Sequence, residues 1–219
     1  MGDLVHMMYV VANTPGVHGL YITDRRDLHS DGFIYPLEQT VEELKPVLMA
    51  QEYVNSVQAY DGPFTEEIDG EYINLNMWRR MAYSYNWTML LSKMFNVPVN
   101  GKAWMKTQPG VHYNTLIHCS VPGARKGNWD GVNLHGGVFM GSLQEYQNFN
   151  RPEIPHIVPH TLEQMFALIG SCGNFIGNQS LPLAIAHTLD VPRIAVLNEV
   201  DKKAYIGEEK IFKNFGYVL

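Results

Sequence analysis

The residues whose types and spacing carry the most chemistry lie between Phe175 and Ile194. An apolar run ends at Gly177, the turn Asn178-Gln179-Ser180 follows, and Leu181-Pro182 opens an apolar helix that stops at Asp190-Val191-Pro192. Arg193-Ile194-Ala195-Val196 is again strand-forming. Strand, tight turn, helix and strand together make one unit of a parallel sheet. The first N–H groups of such a helix have no partner within it, and its dipole favours an anion, phosphate above all. Gly177, Asn178, Gln179, Ser180 and Leu181 are therefore candidate binding residues, with Ser180 also the natural N-cap. Glu199 follows the second strand at the carboxyl edge of the sheet, where ligands of open α/β folds bind, and suits a ribose hydroxyl. Arg125-Lys126, in a loop with Pro122, Gly123 and Gly127, offers a phosphate cation or a solvated pair.

Other reactive side chains give less. His118 and Cys119 are adjacent and point to opposite faces of a strand. With Cys172, His135, His156 and His160 they show no C-x2-C or H-x3-H spacing, so no metal centre is expected. Nothing orients a third member for a Cys–His nucleophile. Two cysteines do not make a disulfide framework, and a reducing, cytoplasmic setting is expected. No apolar run is long enough to cross a bilayer, and the first residues lack a signal-peptide pattern. The net charge of −6 argues against broad electrostatic binding to nucleic acid.

The elements that must position these residues fall into two halves. The 219 residues are 46% hydrophobic and 17% charged, a composition that predicts a filled core. In residues 1–105 the pattern predicts a helix from Asp3, its N-cap, to about Thr14. A strand is expected over 17–23 and a shorter one over 32–35. A helix over 38–54 is dented by Pro46, and strands follow over 56–60 and 72–75. An aromatic-rich helix spans 78–95, with Trp78 and Trp87 as packing residues. Residues 99–109 read as a connector. In residues 106–219, strands are expected over 113–120, 137–140 and 155–158, with a helix over 142–149. Thr161-Leu-Glu-Gln164 has the form of a capping box and starts another helix. Strands alternating with helices in both halves imply two α/β domains with parallel sheets.

The run from Thr161 to Pro192 resembles the C-terminal signature of the heptosyltransferase-like glycosyltransferases, enzymes of the GT-B fold. That signature reads "Gn-D-S-G-p-x-H-l-A-a-A-l-g-v-P", and Gly177, Asn178, Ser180, Pro182, Ala186, Leu189, Val191 and Pro192 match it. Gly2-Asp3-Leu4-Val5 is similar to the "G-D-v-l" that opens the family's first helix. Arg125-Lys126-Gly127-Asn128-Trp129 is similar to its "K-x-W". The chain departs from the signature at Gln179, Leu181 and Ala184, where the family has Asp, Gly and His.

The resemblance implies a compact GT-B arrangement of two Rossmann-like domains. Residues 1–105 would form the acceptor side and residues 106–219 the nucleotide-sugar side. It implies Asp3 as the base for the acceptor hydroxyl and Lys126, with Arg125, as the cation facing the departing diphosphate. Backbone N–H groups near Gln179–Leu181 would hold phosphate oxygens. Ser120, closing the first strand of the second domain, joins the nucleotide-binding candidates. No cofactor or metal is implied; the nucleotide sugar is a substrate, and the acceptor is a hydroxyl group of a glycan. Two other readings stay open. One is a nucleotide-sugar-binding protein without turnover, which the three departures favour. The other is a viral-type enzyme glycosylating DNA bases, which rests on Arg25-Arg26, Arg79-Arg80 and Arg125-Lys126.

Overall fold

In a computed structural model of the chain, residues 1–24, 35–62, 73–75, 86–120, 127–199 and 201–218 are described. The second half builds a six-stranded, all-parallel sheet. Its strands are β3 (Thr115–His118), β4 (Val138–Met140), β5 (His156–Ile157), β6 (Asn174–Asn178), β7 (Arg193–Val196) and β8 (Phe215–Val218). They lie in the order β5-β4-β3-β6-β7-β8. Numbered from its own first strand, the sheet reads 3-2-1-4-5-6, the doubly wound Rossmann order. The chain leaves β3 toward one edge and, on returning to β6, turns toward the other. The gap between the carboxyl ends of β3 and β6 is therefore the topological switch point.

Alternation along the strands sends side chains to two layers. Ile117, Phe139, Ile176 and Val196 pack with Trp129 and Phe149 on the outer face, under helix α4 (Leu143–Phe149). Leu116, Met140, Phe175 and Ala195 face a much larger inner layer. That layer contains α5 (Leu162–Gly170) and α6 (Leu181–Thr188). Every residue of α6 from Pro182 to Thr188 is buried. A helix apolar on all sides must be covered on all sides. The sheet covers one flank, and α1 (Gly2–Asn13) covers another with Val5, Met8 and Tyr9. Truncating a fully buried side chain such as Leu183 or Ile185 to alanine costs about 2–5 kcal/mol.

The first half is smaller. Strands β1 (His18–Ile22) and β2 (Val54–Ala59) pair in parallel, joined through α2 (Leu37–Met49), which carries Pro46 inside it. Helix α3 (Trp87–Phe95) begins at Asn86, whose side chain accepts the Met89 N–H, and packs on α1. One apolar cluster runs unbroken through both halves, from Val5 and Leu48 to Phe166 and Phe215.

The connector is part of that core. Trp104 is buried; its indole N–H donates to the Val5 carbonyl at 3.2 Å and its backbone N–H to the Thr188 carbonyl at 3.0 Å. The Tyr9 hydroxyl donates to the Pro98 carbonyl at 2.7 Å and accepts from the Asn100 N–H at 2.9 Å. Gln51 holds both backbone groups of Lys106, at 2.8 and 3.0 Å. At Gly101 an added Cβ would stand 2.0 Å from the Ile211 carbonyl oxygen, so only glycine lets the connector approach this closely.

Several expectations change. The first helix starts at Gly2 with Met1 in the N-cap position; Asp3 lies in its first turn and is not the N-cap. The Thr161 hydroxyl accepts the Gln164 N–H, but Gln164 reaches back to His160, so half of the predicted capping box forms. Ser142 and Glu145 form a complete one instead. Ile73, Asn74 and Leu75 are not strand. The strand expected over 32–34 and residues 78–85 of the aromatic helix lie outside the described residues. Among the described residues no helix is long and apolar enough to cross a membrane.

Candidate functional site

The candidate site lies at the switch point, on the carboxyl ends of β3 and β6. Ser120 stands just past β3, and Asn178 ends β6. Asn178 is fully buried. Its Oδ1 accepts the Ser120 N–H at 2.9 Å, and its Nδ2 donates to the Ser120 hydroxyl at 3.1 Å. These two candidates, 58 residues apart in the chain, thus form one cross-strand pair. Gly177 sits opposite His118 in the register. A Cβ there would stand 2.7 Å from the Phe175 ring and 3.2 Å from the His118 carbonyl oxygen.

Beyond Asn178 the chain turns into α6. Ser180 occupies the N-cap position, but its hydroxyl donates to the Asn178 carbonyl at 2.9 Å and makes no cap bond. The helix begins through backbone alone, with the Ala184 N–H on the Ser180 carbonyl. Leu181 and Leu183 therefore present first-turn N–H groups without a side-chain cap, while Pro182 has none to offer. The Gln179 side-chain oxygen is buried and, among the described residues, has no hydrogen-bond partner.

The start of α1 meets this turn. A Cβ on Gly2 would lie 3.7 Å from Leu181 Cα and 3.9 Å from Ala184 Cβ. Further along, the rings of His6 and His187 are 5.3 Å apart. The two helices run side by side in the same direction, and both N-termini lie at one place. Parallel helix dipoles repel, and their joint positive end favours an anion. Asp3 lies in the first turn of α1.

The remaining candidates divide. Glu199 lies past β7, exposed, and forms an ion pair with Lys202 one turn on. It is at the carboxyl edge as expected, but its carboxylate is engaged by that lysine. Arg125 and Lys126 lie outside the described residues, as do Arg25, Arg26, Arg79 and Arg80. The next residue after Lys126, Gly127, has φ +69° and a Cβ position 2.8 Å from the Val196 carbonyl oxygen, against the end of β7. Ser120 and Gly127, the two described residues flanking that segment, therefore sit on either side of β6.

Sequence reasoning missed two features. His118, at the end of β3, directs Nδ1 to the Met140 carbonyl at 2.8 Å, and its Nε2 lies 3.8 Å from Glu145 Oε1. Burial lowers the His118 pKa, and the Glu145 carboxylate opposes that shift. The Ser142-x-x-Glu145 spacing was the legible signal, since the cap at the end of β4 is what positions Glu145. The second is a sealed polar cluster beneath α1 and α6, made by His6, His187, Arg193 and Glu208, all buried. No local pattern marks it, because its members come from four separate elements. Among the described residues no three His, Cys, Asp or Glu side chains gather as around a metal ion.

No protein-family model, curated protein or solved structure matches this chain.

Proposed function

We propose that the chain is a small glycosyltransferase of the GT-B kind, moving a sugar from a nucleotide-diphosphate donor to a hydroxyl acceptor. Residues 106–219 bind the nucleotide, residues 1–105 face the acceptor, and the two lobes share the helix layer of α1, α5 and α6. The acceptor oxygen attacks the anomeric carbon as the bond to the diphosphate breaks, with inversion. Asp3 takes the hydroxyl proton, and the electron pair leaves with the diphosphate. The amides that open α6, with Lys126, meet the charge that develops on the phosphate, so no metal is needed.

The observation that carries this reading is the meeting of two helix N-termini beside the switch point of a doubly wound sheet. An anionic, nucleotide-sized ligand suits that place on both counts. The resemblance around Gly177–Pro192 and Gly2–Asp3 supports the choice of chemistry, because its two parts become neighbours at Gly2 and Leu181. A chain with two buried cysteines, too few for a disulfide framework, suits a cytoplasmic setting.

The test is incubation with a panel of sugar nucleotides, reading released nucleoside diphosphate beside calorimetric binding of the diphosphates. Turnover that Asp3→Asn abolishes while binding persists supports the assignment. Binding without turnover from any donor points to the non-catalytic reading, which Gln179, Leu181 and Ala184 favour. Absence of any nucleotide binding removes both.

A further inference from the structure

The sealed cluster beneath α1 and α6 makes fewer hydrogen bonds than its atoms require. Glu208, with none of its surface exposed, comes from the segment after β7 that forms the 3-10 turns Asp201–Ala204 and Glu208–Lys210. Its Oε1 accepts the Thr88 N–H at 2.9 Å, and its Oε2 accepts the Thr88 hydroxyl at 2.9 Å. Asn86 Nδ2 donates to the Ile206 carbonyl at 3.2 Å, so the segment is latched to the start of α3. Oε2 is also 3.6 Å from His187 Nε2 on α6, beyond the length of a direct bond. His187 is fully buried, and neither of its ring nitrogens has a hydrogen-bond partner among the described residues. The same is true of His6 Nδ1 and of Nε and Nη2 of Arg193.

These atoms border one interior region. The Arg193 guanidinium carbon lies 5.2 Å from the centroids of both the Phe212 and the Phe215 rings. The His187 ring lies 4.8 and 6.1 Å from the same two rings, and 5.3 Å from the His6 ring. Arg193 Nη1 is engaged by Asp190 Oδ1 at 3.2 Å and by the Val191 carbonyl at 2.9 Å. Nε and Nη2 form the other edge of the fork, two donors aimed the same way. A buried polar atom left without a partner loses more than a made bond returns, and a charged group loses most. Two such atoms on His187, two on Arg193 and one on His6, all in one cluster, do not fit a dry core.

We propose that this region is a hydration site holding at least two ordered water molecules. One bridges His187 Nε2 and Glu208 Oε2, whose separation of 3.6 Å lets a single water touch both. The N–H and lone-pair directions of an imidazole diverge, so His187 Nδ1 takes a second. The Arg193 fork donates into the same water cluster. Water suits every member because it both donates and accepts: it serves the guanidinium edge, and it serves each imidazole nitrogen whether or not that nitrogen carries a proton. An anion would satisfy the donors alone and would face the Glu208 carboxyl, so the occupant is neutral. The bound waters tie α6, β7 and the 201–212 segment together beneath the helix whose first turn opens the candidate site.

A high-resolution crystal structure of the whole chain tests this. Two or more waters, each within about 3.2 Å of at least two of the polar atoms of His187, Arg193, His6 and Glu208, support the proposal. An interior without them, its polar atoms turned onto protein partners, overturns it. A chloride at Arg193, shown by anomalous scattering after exchange for bromide, overturns it as well. In solution, magnetic relaxation dispersion of the water oxygen counts long-lived internal waters. The unaltered chain should show about two more than a double variant, His187→Phe with Arg193→Met, whose apolar side chains offer no partner. Equal counts overturn the proposal. Should the double variant fail to fold, the crystal structure of the unaltered chain decides.

Discussion

Asn178→Ala probes the floor of the candidate site directly. Asn178 is fully buried and ties β6 to the end of β3. The substitution removes two bonds of good length, Ser120 N–H to Oδ1 at 2.9 Å and Nδ2 to the Ser120 hydroxyl at 3.1 Å. Each is worth about 1 kcal/mol net, and the part-buried Ser120 amide left without its acceptor adds up to about 1 kcal/mol more. The expected loss is about 2–3 kcal/mol, or roughly 30- to 150-fold in the ratio of folded to unfolded protein. Urea denaturation would read it as a lower midpoint at unchanged slope. Ser120→Ala removes only the hydroxyl bond and should cost about 1 kcal/mol, and the double variant should fall short of the sum by a similar amount. A loss below about 0.5 kcal/mol in Asn178→Ala, or strict additivity in the double variant, would show that this pair does not join the two strands.

Three further outcomes are expected. Gly101→Ala forces a Cβ to within 2.0 Å of the Ile211 carbonyl and should cost about 2–4 kcal/mol in thermal or urea unfolding; Gly2→Ala, whose Cβ finds ordinary contacts at 3.7–3.9 Å, should stay within about 1 kcal/mol of the parent. Gly127→Ala meets both a φ of +69° and the Val196 carbonyl at 2.8 Å, so it should lower stability by about 1–3 kcal/mol and weaken nucleoside diphosphate binding measured by calorimetry. For global unfolding, the raised Glu208 pKa contributes stability that is fully present below pH 4.5 and lost as pH rises through about 7, some 3 kcal/mol in all. His6 and His187, both depressed, act the other way: their burial costs stability as pH falls below 6.5. Glu208→Gln removes only the opposing contribution, so its urea midpoint should drop more steeply than the parent's between about pH 6.5 and pH 5, and parallel slopes would contradict the assignment.

Much of the second half was legible because its signals are local. The runs Thr115–His118, Asn174–Asn178 and Arg193–Val196 are short and apolar, bounded by Gly, Pro, Asn and Asp, and all became central strands. The turn at Gly177–Leu181 was legible for the same reason. Its hydrogen bonding was not, because whether the Ser180 hydroxyl caps the helix or bonds the Asn178 carbonyl depends on backbone geometry two residues away. Asp3 was misplaced by two positions, since helix starts are among the least certain boundaries when no side chain caps them. The pairing of Ser120 with Asn178, and of Gly2 with Leu181, joins residues 58 and 179 positions apart, a distance no periodicity spans. The His187–Glu208 latch was invisible for a further reason: a His in an apolar helix and a Glu in a charged run look ordinary until folding removes both from water.

The buried connector has a consequence for how such a chain can change. Trp104 is braced by α1 and α6 at once, and Gly101 is wedged under Ile211. A crossover that replaced one half of the chain with that of another protein would arrive with the wrong strap, and neither piece could fill the gap. Residues 98–106 are thus inherited with both halves or with neither, and a swap that ignores them should lower stability however well the halves themselves match.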